Sequence, residues 1–184
     1  AETAAFLTER LAKSAAPYPG KLRPLQAACL SEAWQVRGLA GFLKPGAGKS
    51  CLGYLLPAVL ASRAPLYVAP ANMRQDMAAE FALFAADWKG PAPAAFPFLS
   101  YEKLAAPTGG EDVDEAGNVT RLTLLERIRP DLIVFDESHA LAAMGNVATK
   151  RVRVYLRKNP KTVVVALTGS PFKTSIRDAA HILE

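Results

Sequence analysis

The stretch GFLKPGAGKSCLGYLL, residues 41–56, places a glycine-bracketed turn between an apolar run and a run of helical character. Successive backbone N–H groups in such a turn, continued by a helix amino terminus, form a concave donor surface suited to anionic oxygens. Gly46 and Gly48 permit close backbone approach, with Pro45 and Ala47 in the same cradle. Lys49 can reach the terminal phosphates of a nucleotide, and the Ser50 hydroxyl can ligate magnesium. This is a Walker A arrangement in short form, because the longer pattern G-x-x-x-x-G-K-[ST] requires a glycine where this chain has Leu43.

A second stretch, PDLIVFDESHAL at 130–141, supplies carboxylates. An apolar strand over Leu132 to Phe135 delivers Asp136 and Glu137 at its carboxyl end, which in a parallel sheet lies beside the phosphate loop. There Asp136 would hold the magnesium and Glu137 would polarise the attacking water. Alone, the pair reads as well as acidic caps on a following helix; the phosphate loop favours the chemical reading.

The elements that must position these residues follow an alternating rhythm. Short apolar runs predict strands at 39–43, 66–69, 96–99, 132–135 and 162–167. Helical patterns fill 3–14, 50–61, 72–87, 121–129 and 146–158. Such alternation predicts an α/β fold, a mainly parallel central sheet covered by helices on both faces, with ligands at the strands' carboxyl ends. The polar, acidic segment 107–118 predicts a mobile surface loop. In the basic run 149–161, Val152, Val154 and Tyr155 are expected to face inward and the charges to face solvent.

With 51% hydrophobic and 21% charged residues in 184, the chain can bury one sizeable core and is unlike a disordered chain. Its net charge of +5 is compatible with polyanion contact. No apolar run reaches the roughly 20 residues of a membrane span. Glu2, Glu9 and Arg10 stand where a signal peptide would be apolar, so an intracellular location is expected, and the alanine-rich, arginine-bearing composition points to the cytoplasm of a bacterium or a phage-infected host cell. Cys29 and Cys51 lack metal-ligand spacing and are expected to be small buried residues.

Taken in order, the motifs resemble those of superfamily 2 helicases and translocases, most closely the Swi/Snf-type branch. Gly46 to Ser50, Asp136-Glu137-Ser138-His139 and the ALTGSP stretch at 166–171 look like motifs I, II and III. LRPLQ at 22–26 resembles the element upstream of the phosphate loop, LYVAPANMRQDMAAEF at 66–81 resembles motif Ia, and FLSYEKL at 98–104 resembles the Thr-Tyr-Glu element. Met77 stands where many relatives have Trp.

The resemblance implies a three-layer RecA-like P-loop NTPase domain using ATP and Mg2+. It implies that Gln26 reads adenine, and that His139, Thr168, Gly169 and Ser170 couple the nucleotide to a nucleic-acid track. Pro70, Asn72, Arg74, Ser100, Tyr101 and Lys103 match positions that touch nucleic acid, expected to be double-stranded DNA. Residues 1–20 are then a helix and linker, and 21–184 the first of two lobes. The chain begins without Met and matches only lobe-one motifs, so it is expected to be monomeric, to rely on a second lobe of a longer protein, and to be nearly inactive alone. A one-lobe ATP- or nucleic-acid-binding module is the competing reading. A small-molecule kinase would leave LTGSP and LRPLQ unexplained.

Overall fold

The computed structural model describes residues 2–13, 20–92, 96–106, 123–141 and 147–169. Helix α1 (Glu2–Leu11) and helix α2 (Pro24–Val36) precede strand β1 (Gly38–Phe42). Helix α3 (Lys49–Val59), β2 (Pro65–Ala69), α4 (Arg74–Asp87), β3 (Phe98–Ser100) and the short α5 (Tyr101–Ala105) follow. The described chain continues with α6 (Leu124–Ile128), β4 (Leu132–Asp136), α7 (Val147–Lys158) and β5 (Val163–Thr168).

The strands pair in the order β1-β5-β4-β2-β3, every pairing parallel, as the alternation predicted. β2 and β4 are buried along their whole length, as strands covered on both faces must be. One core lies between the sheet and α2, α3 and α4, centred on Leu30, Leu52, Leu55, Leu56 and Tyr67. The other lies on the opposite face, where Leu66, Val68, Ile133 and Phe135 meet Tyr101, Leu104, Leu125, Val152 and Tyr155.

Several boundaries shift for local reasons. β3 begins at Phe98 rather than Phe96: Pro97 has no N–H to give the ladder, and its carbonyl accepts from Tyr67 N at 2.9 Å. Phe96 instead stacks on Phe81, with ring centroids 5.3 Å apart. In α7, Val152 and Tyr155 are buried as expected, but Val154 is exposed, which corrects the expectation. Positions 148, 152 and 155 share one helical face at spacings of four and three, and 154 falls on the other. Cys29 is buried whereas Cys51 is only half-buried; desolvation still pushes the Cys51 thiol up to about 11. Among the described residues, no helix is long and apolar enough to cross a membrane.

Helix α1 packs on the body of the fold. Leu22 N donates to Thr8 Oγ1 at 3.1 Å, and Ala12 forms an antiparallel bridge with Trp88.

The turn between α3 and β2 is fastened to the start of β4 by Asp131. Its carboxylate accepts from Ser62 Oγ, from Arg63 N at 2.8 Å and from Ala64 N at 3.1 Å. Burial opposes ionisation, but these hydrogen bonds outweigh it and hold the Asp131 carboxyl below the usual range. Asp131→Ala is expected to cost about 1–3 kcal/mol in urea unfolding at pH 7. Because the folded-state value is lowered, the contribution of Asp131 is complete above the ordinary aspartate value, about 4. It is lost as pH falls through the lowered value, so the gap between wild type and variant closes in acid.

Candidate functional site

β1 and β4 deliver the two chemical stretches to the same edge of the molecule because both strands run parallel and end there. β1 pairs with β5, and β5 with β4, which sets the turn after β1 beside the residues after β4 and β5. Leu43 N donates to Thr168 O at 2.8 Å, extending this pairing by one residue. Leu43 is itself buried. The position that the longer phosphate-loop pattern assigns to glycine therefore serves the core here, and the turn proper starts beyond it.

Within the turn, Gly46 and Gly48 have φ of 78° and 86°, the left-handed region that glycine enters without steric cost. A Cβ on Gly46 would meet nothing within 4 Å, whereas one on Gly48 would lie 2.2 Å from Gln26 Nε2. Gln26 is buried behind the turn, its Oε1 accepting from Arg23 N at 2.9 Å. The Arg23 guanidinium donates from Nη1 to Gly46 O at 2.7 Å. Two residues of the upstream LRPLQ element thus brace the glycine turn, one from behind and one from its rim.

Lys49 opens α3, half-buried with Ser50 in its first turn. Its Nζ donates to Glu137 Oε1 at 2.8 Å. Glu137 has φ of 50°, so the chain turns left-handed immediately after β4. That turn aims consecutive carboxylates in different directions. Burial pushes the Glu137 carboxyl up, but Lys49's hydrogen bond and charge, the Gly169 N–H and the His139 side chain together hold it below the usual range. A Cβ on Gly169 would lie 3.3 Å from Lys49 Nζ, so this glycine keeps the backbone against the lysine. His139 Nδ1 lies 3.1 Å from Thr168 Oγ1 and 3.3 Å from Glu137 Oε2, joining the residues after β4 to the end of β5.

Asp136 sits deeper. Its Oδ2 accepts from Tyr67 OH at 2.8 Å, its Oδ1 from Glu137 N at 2.9 Å, and its main-chain carbonyl from Tyr101 OH at 2.7 Å. Burial is the largest influence and raises its carboxyl above the usual range, against the hydrogen bonds from Tyr67 and Glu137 N.

The structure thus brings together Gln26, Pro45, Gly46, Ala47, Gly48, Lys49, Ser50, Asp136, Glu137, His139, Thr168 and Gly169; Ser170 lies outside the described residues. The residues matched to nucleic-acid contacts divide. Asn72, Arg74 and Lys103 are exposed and Pro70 is half-buried, all beyond the carboxyl ends of the neighbouring strands β2 and β3. Ser100 and Tyr101 are buried: Ser100 Oγ caps α5 by accepting from Lys103 N at 3.2 Å, and Tyr101 is engaged with Asp136. Sequence reasoning missed Arg23 and Tyr67, and gave Tyr101 a nucleic-acid contact where its hydroxyl is instead held by the Asp136 carbonyl. Arg23 adjoins Pro24 in the upstream element and could have been found there; a tyrosine within an apolar strand gives no such signal.

The donor set fits a magnesium nucleotide. Asp136 and Ser50 offer hard oxygen donors, and the two left-handed glycines with Lys49 offer N–H groups and a cation for phosphate oxygens. A carboxylate has about four lone-pair sites, and Asp136 commits one on each oxygen to the contacts above.

No family model matches the chain, and no curated protein matches it by sequence. The fold does have solved counterparts. The UvsW helicase from bacteriophage T4 is similar with a TM-score of 0.64 at 15% identity, over 97% of this chain and 63% of that one. The Sulfolobus solfataricus SWI2/SNF2 ATPase core, solved in complex with double-stranded DNA, is similar with a TM-score of 0.56 at 17% identity, over 89% of this chain and 35% of that one. The chain therefore spans less than two thirds of either counterpart, and the likeness is one of fold, a RecA-like α/β domain with a parallel sheet.

Proposed function

We propose that this chain is the ATP-binding lobe of a nucleic-acid-dependent ATPase, a DNA helicase or double-strand DNA translocase, with residues 21–184 as the lobe and 1–20 as its leading helix and linker. The convergence of Lys49, Glu137 and Gly169 over a left-handed glycine turn is the observation that carries this reading.

ATP with Mg2+ would be held by Gly46 to Ser50 and by Asp136, the ion supplying charge neutralisation on phosphate oxygens when bound. Phosphate oxygens compete with Glu137 for the Lys49 ammonium. Release from Lys49 frees the Glu137 carboxylate, ionised at neutral pH, to accept a proton from water. The His139–Thr168 contact would pass changes at Glu137 to the end of β5. Gln26 keeps its Nε2 donor and one Oε1 lone pair for a base edge while bracing the loop.

Exposed Arg74 and Lys103 would contact the phosphate backbone of DNA, giving sequence-independent, salt-dependent affinity. A second lobe of a longer protein would supply arginine, whose absence costs about 10³–10⁵ in rate. The test is ATP hydrolysis by the two-lobed protein with and without duplex DNA. Stimulation by DNA supports the reading. Turnover indifferent to DNA contradicts the nucleic-acid-dependent motor, and an inert protein that still binds ATP or DNA replaces it with a binding module.

A further inference from the structure

The deepest polar contact of the site involves a residue that the nucleotide reading does not need. Tyr67 lies in the middle of β2 and is 1% exposed, its ring edge-on to Phe81 and Phe96 at centroid distances of 5.3 and 5.7 Å. Aromatic packing alone would be satisfied by phenylalanine. The hydroxyl reaches past this cluster and donates to Asp136 Oδ2 at 2.8 Å.

It can do so because α3 carries a glycine where the two elements touch. A Cβ on Gly53 would lie 2.4 Å from Tyr67 Cε2 and 3.2 Å from its hydroxyl oxygen, so the helix leaves the space that the phenol fills. The helix that starts at Lys49 and the strand that ends at Asp136 are thereby linked through one side chain. Tyr67 and Glu137 N hold different oxygens of the same carboxylate. A single anchor would let the carboxylate swing about its own axis; anchors on both oxygens fix its plane. Tyr101, by contrast, holds only the Asp136 main-chain carbonyl.

Resting on the nucleotide reading above, we propose that Tyr67 is a positioning residue for Asp136, seated by Gly53 and fixing the carboxylate for the divalent cation that accompanies the nucleotide. Groups that orient a metal-binding carboxylate typically cost about 10- to 100-fold in metal affinity when removed. Glu137 N remains after Tyr67→Phe, so the lower end, roughly 10-fold, is expected.

The experiment titrates Mg2+ into the chain with a fluorescent ATP analogue, and measures the analogue's affinity in excess EDTA, for wild type, Tyr67→Phe, Tyr101→Phe, Asp136→Asn and the Tyr67→Phe/Asp136→Asn double variant. Expected for Tyr67→Phe is an unchanged affinity in EDTA with a roughly 10-fold higher Mg2+ half-saturation. Tyr101→Phe should shift it by less, and Tyr67→Phe should add nothing in the Asp136→Asn background. Three results overturn the proposal alone: a wild-type Mg2+ response in Tyr67→Phe, equal shifts for the two tyrosines, or an additive double variant. A wild-type chain that binds the analogue identically with Mg2+ and with EDTA overturns the magnesium-nucleotide reading itself, and the proposal with it.

Discussion

Glu137→Gln is expected to slow ATP hydrolysis by the two-lobed protein about 10²- to 10⁴-fold, the usual contribution of a positioned general base, while leaving nucleotide binding in place. The amide keeps the size and an acceptor oxygen for Lys49 but cannot take a proton at neutral pH. It also removes the negative partner of the 2.8 Å ion pair with Lys49. Phosphate oxygens then meet less competition for the ammonium, so binding should hold or tighten as turnover falls. Steady-state hydrolysis set beside an equilibrium binding titration separates the two. If binding and turnover fall together, Glu137 is a structural anchor for Lys49 and some other group activates water.

Gly48→Ala should be the most damaging small substitution in the loop, and Gly46→Ala is its internal comparison. Both replace a glycine of positive φ, which costs a non-glycine residue roughly 1–2 kcal/mol. They differ in what lies behind them. The new methyl at 46 points into open space, but at 48 it would stand 2.2 Å from Gln26 Nε2. Gln26 is 6% exposed and its Oε1 is held by Arg23 N. It must break that hydrogen bond or displace the loop, at a further cost of about 0.5–1.5 kcal/mol. At roughly 2–4 °C per kcal/mol for a domain of this size, Gly48→Ala should melt about 3–14 °C below wild type and Gly46→Ala only about 2–8 °C. Thermal unfolding followed by circular dichroism checks the order. In Gln26→Ala, where the obstruction is gone, the gap between the two glycine variants should close.

The sheet was legible because parallel strands buried on both faces leave continuous apolar runs such as LIVF at 132–135. The glycine turn and the carboxylate pair were legible because each is a run of residues adjacent in sequence. α2 was not read as a helix: Ala27, Leu30 and Ala33 do make a buried face, but Leu25, Trp34 and Val36 are exposed, so apolar residues lie on both sides and blur the period. α5 was not read either, because five residues are too few to show a helical period. The braces of the site are long-range contacts. Tyr67 and Asp136 stand 69 positions apart and meet only because β2 pairs with β4. Glu137's left-handed backbone likewise has no sequence signal, since glycine or asparagine is the usual occupant of that region.

Calorimetric titration of Mg-ATP into the 184-residue chain and its Lys49→Ala variant tests the central claim most directly. The account predicts one nucleotide bound by the wild type, with affinity at least about tenfold weaker in the variant, since the lost contact is a charge-assisted one worth about 1.5–3 kcal/mol. Equal binding by wild type and variant would place the nucleotide elsewhere, and no heat from either would mean that the turn between β1 and α3 does not hold ATP.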